Sequence, residues 1–346
     1  AYAFNRDNVK SADAELSLRG GANLKRPGVI YILAVGLDQY ANAQYNLKFA
    51  AADARVFADE VRRAQAELAP PARLEVVTLF DHEATKANVL HALTRLSGDA
   101  SAALPPGAPP SLNKLQPAQP EDTVIVFHAG HGMAFGQRFY LLPHDFGYTG
   151  ARAAIEQDGV QAILGHSISD RELEQVLEGV DAGRLLMVLD TCESGKVLES
   201  EEQRQRQGPM NSKGIAQLAY EKGMFVLTAA QSYQAALEVE QLGHGFLTHA
   251  LVVQGLREGR ADARPRDGRI MTGEWLDYAT ERVPQLQLEW MRTTRGLMSQ
   301  IAFVAGEEWL NDPGDRSLQR PRVFYRRETQ RRPLIIAQLG AVRSGQ

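Results

Sequence analysis

Two spacings of apolar residues alternate along the 346-residue chain. Runs of consecutive apolar, mostly branched residues recur at 29–37, 74–80, 123–127, 184–189, 224–228 and 323–325. Runs of that length predict strands, and their near-continuous apolarity predicts burial on both faces, as in a parallel sheet. Between them apolar residues return at helical spacing. Leu47, Ala50, Ala51, Ala54, Phe57, Ala58 and Val61 predict one amphipathic helix. Segment 85–96 predicts a second, capped by Thr85, and 168–177, 245–256 and 273–291 predict three more. Residues 138–142 predict a short hairpin strand. The alternation of strand and helix predicts a three-layer α/β fold, a mostly parallel six-stranded sheet with helices on both faces. No internal repeat interrupts it.

Polar stretches set the expected boundaries. Residues 1–28 read as the tail of a preceding domain or a linker, with weak alternation over 11–18 that allows one strand; a disordered arm is the alternative. A single domain is expected over 29–330, followed by a C-terminal tail at 331–346. Within the domain, Pro105, Pro106, Pro109, Pro110, Pro117 and Pro120 exclude a helix or central strand, so 97–121 reads as an inserted, exposed loop. Residues 196–216 are polar and read as a mobile loop.

Composition narrows the class. An apolar share of 44% and a charged share of 23% are those of a globular protein rather than a disordered one. A net charge of −4 gives no reason to expect nucleic acid or an anionic membrane as partner. No run of eighteen apolar residues predicts a membrane span, and no basic-then-apolar leader predicts a signal peptide. The single cysteine cannot form an internal disulfide, which fits a reducing, cytoplasmic compartment.

That cysteine, Cys192, follows the apolar run at 184–189 inside Asp190-Thr191-Cys192-Glu193-Ser194-Gly195. The carboxyl ends of strands are where open α/β sheets place their chemistry. The run at 123–127 leads into His128-Ala129-Gly130-His131-Gly132. Two adjacent parallel strands ending in His131 and Cys192 would set an imidazole beside a thiol. The thiolate is the nucleophile, and a neighbouring imidazole can take its proton and return it to a leaving amine. Gly132 leaves room for a substrate, and its N–H, with that of Cys192, forms a candidate oxyanion hole. His128, an odd number of residues from His131, is expected on the opposite strand face and structural. His128, His131 and His144 have no Cys or Glu completing a known ligand spacing, so no metal or other cofactor is expected. A tyrosine-phosphatase signature is excluded, because position 198 is Leu where Arg would be needed.

His131-Gly132 and Asp190-Thr191-Cys192-Glu193-Ser194-Gly195 resemble the strand-His-Gly and strand-Asp-x-Cys-x-Ser-Gly motifs of the caspase and metacaspase cysteine peptidases, and the likeness spans roughly 27–326. Two positions depart from the pattern: Glu193, where metacaspases carry His and animal caspases Gln, Arg or Gly, and Ala129, where Ser is frequent. The resemblance implies a caspase-like fold and protein or peptide substrates. It also implies a link to β-rich modules upstream, and a calcium requirement is left open. Ala50-Ala51-Ala52-Asp53 occupies the place of the metacaspase Cys-x-Asn-Asp motif, retaining only the Asp. Asp53 and Asp190 at one pocket would favour cleavage after Arg over Lys. Caspase-like enzymes are often cut in the loop after the cysteine strand, making Arg204, Arg206 and Lys213 candidate self-cleavage positions. A catalytically silent scaffold and another His/Cys acyl-transfer hydrolase are the alternatives.

Overall fold

The computed structural model describes residues 26–68, 73–99, 101, 103–135, 138–152, 155, 157–193, 219–220, 222–229, 238–239, 243–263, 265–293, 301–302, 318–325 and 334–339. Its centre is β1 (Val29–Gly36), eight buried residues flanked on one side by β2 (Arg73–Phe80) and on the other by β3 (Thr123–Phe135). A short antiparallel extension follows, β4 (Arg138–Leu141) on β3 and β5 (Ile168–Ser169) on β4. Beyond β3 lie β6 (Arg184–Glu193) and β7 (Phe225–Thr228). Small pieces β8 (Glu238–Val239), β9 (His244–Gly245), β10 (Arg269–Met271) and β11 (Ile301–Ala302) precede β12 (Arg322–Phe324) and β13 (Ile335–Gln338). The main path runs β12-β7-β6-β3-β1-β2, parallel except for β12. It is the mostly parallel six-stranded sheet expected from the apolar runs.

Helices cover both faces. On one, α1 (Ala50–Ala66) packs beside a helix beginning at Phe246–Thr248 and continuing as a π-helix over His249–Arg257, and beside a third helix at Thr272–Thr293. Phe57 of α1 stacks on Phe127 of β3 at 4.3 Å and on Trp275 at 5.8 Å, all three fully buried. Truncating one such ring typically costs about 3–5 kcal/mol. On the other face sit α2 (Lys86–Leu96), α3 (Gln157–His166) and α4 (Asp170–Glu178). Local sequence starts these helices. Thr85 accepts from Asn88 N, and Ser169 with Glu172 forms a capping box. Phe49 gives α1 no side-chain cap, and Asp38 substitutes by accepting from Ala51 N at 3.1 Å.

Two segments differ from expectation. The proline-rich stretch is not merely an exposed loop, because a 3-10 turn at Pro110–Lys114 opens with proline, where no N–H is needed. Leu112, Leu115 and Ala118, lying between the prolines, are buried in the core. Part of 331–346 is likewise no tail: β13 pairs with β10, Ile336 is fully buried, and Gln65 Nε2 of α1 donates to the carbonyls of Ile335 (2.8 Å) and Ile336 (2.7 Å). The possible strand at 11–18 and the polar loop at 196–216 lie outside the described residues.

Candidate active site

Strand register builds the site. β3 and β6 pair in parallel from Thr123↔Arg184 up to His131↔Cys192 and Gly132↔Glu193. Neighbouring strands lie about 4.8 Å apart, so His131 and Cys192 stand side by side. β1 ends opposite Ala129, and β7 pairs only as far as Leu189. The ends of β3 and β6 therefore project past their outer neighbours, which makes the crevice typical of such sheets. For Cys192 the described feature is its backbone position on β6.

The His131 ring is enclosed by aromatic side chains. Its centroid lies 5.1 Å from the Tyr40 ring and 5.9 Å from the Tyr45 ring, and Phe146 packs on both tyrosines. The Tyr40 hydroxyl accepts from His131 N at 2.8 Å. Nε2 lies 2.7 Å from the Tyr45 carbonyl oxygen. A carbonyl only accepts, so Nε2 carries the hydrogen and Nδ1 keeps the lone pair. Nδ1 is buried without a partner among the described residues. Burial first, and the positive charge of Arg152 second, push the imidazole down to about 3 against the opposing Tyr45 hydrogen bond. The ring is thus a neutral proton acceptor at ordinary pH, with its tautomer set by a backbone carbonyl.

His128 is a different kind of group. It pairs with Leu189, three residues below the Cys192 level, or about 10 Å at the usual rise. It too is buried, and burial lowers it to about 4. Gly132 is required by packing: a β-carbon there would lie 2.8 Å from the Phe139 ring and 3.1 Å from Thr191 Cβ.

Of the two expected acids, Asp53 is not the water-facing rim residue that its place beside the apolar stripe suggests. It is buried, and its carboxylate accepts from His244 Nδ1 and from Gly245 N, each at 3.0 Å. Burial pushes its pKa up, opposed by those two hydrogen bonds, while the Asp38 charge adds to the rise. Asp190 pairs with Ala129 and is nearly buried. Strand alternation sets it on the same face as Leu186 and Val188, which pack in the α1 core. Arg204, Arg206 and Lys213 lie outside the described residues.

Tyr40, Tyr45, Arg152 and His244 escaped the sequence reading. The only local signal was a pair of aromatic residues in the polar stretch after β1. Among the described residues, no group of three or more His, Cys, Asp or Glu side chains could hold a metal ion, and no helix is long and apolar enough to cross a membrane.

Among curated proteins, none matches the chain. A solved structure similar to it is protein GSU0716 from Geobacter sulfurreducens, at 18% identity and a TM-score of 0.46, covering 75% of this chain and 90% of that one. The family model described as Caspase domain, of the C14 peptidases, matches residues 111–277, a stretch that contains both His131 and Cys192. Over that stretch the chain is similar, at family level, to the caspase-type cysteine peptidases.

Proposed function

We propose that the chain is a cysteine endopeptidase working through a His131/Cys192 dyad and cutting after basic residues, Arg before Lys. The observation that carries the reading is the register His131↔Cys192, joined to an imidazole whose Nε2–H is already spent on Tyr45. Nδ1 is then the atom that takes the thiol proton as sulfur bonds to the substrate carbonyl carbon. The oxyanion so formed would face the N–H groups of Gly132 and Cys192, each such donor worth about 3 kcal/mol in comparable sites. The imidazolium returns its proton to the amine as the C–N bond breaks. Water, deprotonated by the same nitrogen, then hydrolyses the thioester.

For specificity, Asp190 lies two residues before the nucleophile and is the proposed partner of a substrate guanidinium. Asp53, whose oxygens already serve His244 and Gly245, would contribute negative charge from behind the pocket wall. Self-processing after Arg204 or Arg206, with Lys213 weaker, belongs to the same proposal. A panel of fluorogenic peptides ending in Arg, Lys and Asp tests it on wild type and Cys192→Ala. Arg peptides should be cut best, Cys192→Ala should be silent, and Asp190→Ala should lose about 1–3 kcal/mol in kcat/KM for them. Preference for Asp, or equal hydrolysis by Cys192→Ala, would refute it. Mass spectrometry of incubated wild type should locate cuts after Arg204 or Arg206, which Cys192→Ala lacks.

A further inference from the structure

Two loops meet over the buried imidazole. The turn 42–46 follows β1, and the loop 146–152 follows β4. Asn42 is buried and uses both ends of its amide. Its Oδ1 accepts from Gln44 N at 3.2 Å, which starts the 3-10 turn, and its Nδ2 donates to the carbonyls of Tyr148 (3.2 Å) and Gly150 (2.9 Å), over a hundred residues away. From the opposite loop, Arg152 N donates to Gln44 Oε1 at 2.9 Å and Arg152 Nη1 to Gln44 O at 3.4 Å. The Arg152 guanidinium lies 5.0 Å from the centroid of the Tyr45 ring. Between these fastenings sits the Tyr45 carbonyl that accepts from His131 Nε2.

We propose that Asn42 and Arg152 are positioning residues for His131: they clamp the 42–46 turn to the 148–152 loop and thereby hold the Tyr45 carbonyl on Nε2. The assignment rests on the reading of His131 as the base. Neither residue needs to touch substrate; each acts through the carbonyl. If the turn drifts, Nε2–H loses its acceptor, the other tautomer becomes competitive, and a protonated Nδ1 cannot take the thiol proton. The Arg152 charge has a second effect in the same direction, because a cation beside the imidazole disfavours its protonation. The other titratable groups facing His131 among the described residues are Tyr40 and Tyr45, and Cys192 lies opposite it in register.

The variants Asn42→Asp, Arg152→Gln and Arg152→Lys separate the contributions. Asn42→Asp keeps the acceptor for Gln44 N but loses the donor to both carbonyls. Arg152→Lys keeps the charge, and Arg152→Gln does not. Imidazole 15N NMR in a Cys192→Ala background reports the His131 tautomer and titration without requiring activity, with the signal assigned by His131→Gln. Wild type should show Nε2–H throughout neutral pH. Asn42→Asp should show mixed tautomers, and Arg152→Gln should titrate at higher pH, with Arg152→Lys restoring much of the wild-type behaviour. With Cys192 present, Asn42→Asp and Arg152→Gln should lower kcat on the order of tenfold, the effect of one lost hydrogen bond, with KM little changed. Should Asn42→Asp not fold, Gln44→Ala, an exposed site that removes the acceptor of Arg152 N and leaves the Arg152 Nη1 bond to the Gln44 carbonyl, faces the same readouts with smaller changes. Unaltered tautomer and titration in Asn42→Asp (or Gln44→Ala) and Arg152→Gln would overturn the clamp. A shifted tautomer together with hydrolysis that does not depend on His131 would instead leave the clamp standing and remove the peptidase reading.

Discussion

Replacing His128 by Leu should flatten the acid dependence of folding stability. His128 is buried in the middle of the sheet, and its Nδ1 has no partner among the described residues. Its ordinary value is 6.5, and burial lowers it to about 4. The folded chain therefore binds fewer protons than the unfolded chain between those values. Stability is fully present above pH 6.5 and is lost as pH falls through this window toward 4. The slope is about 1.4 kcal/mol per pH unit for each proton, so going from pH 7.5 to 5 removes about 2 kcal/mol through His128. His131, lowered to about 3, removes a similar ~2 kcal/mol over the same interval. His91 and His249, also lowered by burial, and Asp53, raised by burial and acting in the opposite sense, contribute equally to wild type and variant. Urea unfolding at pH 7.5, 6.5, 5.5 and 5, in a Cys192→Ala background, should show His128→Leu losing about 2 kcal/mol less than its parent. Parallel stability curves would refute the burial argument for His128.

Two further outcomes follow from packing. Gly132→Ala forces a methyl group against the Phe139 ring, at 2.8 Å before relaxation, and should cost about 1–3 kcal/mol in thermal unfolding, with Phe139→Leu relieving part of it. Asp53→Ala strips the acceptor from His244 Nδ1 and Gly245 N and should destabilise by about 1–3 kcal/mol in denaturant, whatever substrate is present; an effect confined to KM for Arg peptides would show that the carboxylate faces the ligand instead.

The sheet was legible because most of its strands are near-continuous apolar runs, and the residues at the ends of two of them are chemically conspicuous. The expected strand at 323–325 and hairpin at 138–142 have counterparts in β12 and β4. The missed features depend on contacts that no local pattern encodes. α3 carries Gly159 and Gly165, which dilute its helical signal. The apolar residues 334–337 form a visible run, but their partners lie on β10 and at Gln65. Asp53 borders an apolar stripe, as an exposed acid would, yet it meets His244, 191 positions further along the chain. The enclosure of His131 rests on a carbonyl oxygen, a hydroxyl and a clamp between two polar loops. A backbone carbonyl has no residue identity to read.

The most direct test of the dyad uses the fact that Cys192 is the only thiol in the chain. Its alkylation rate by iodoacetamide, followed by mass spectrometry from pH 5.5 to 9, reports that one sulfur and needs no substrate. A thiolate beside His131 favours the protonated ring, which draws the imidazole up from the low value it has beside a neutral thiol; with Nδ1 so taking the proton, wild type should react at pH 6–7 at least about tenfold faster than His131→Ala. The variant should instead follow an ordinary thiol, its rate rising about tenfold per pH unit toward a pKa near 8.5. Identical rates and pH profiles in the two proteins would contradict the pairing of His131 with Cys192.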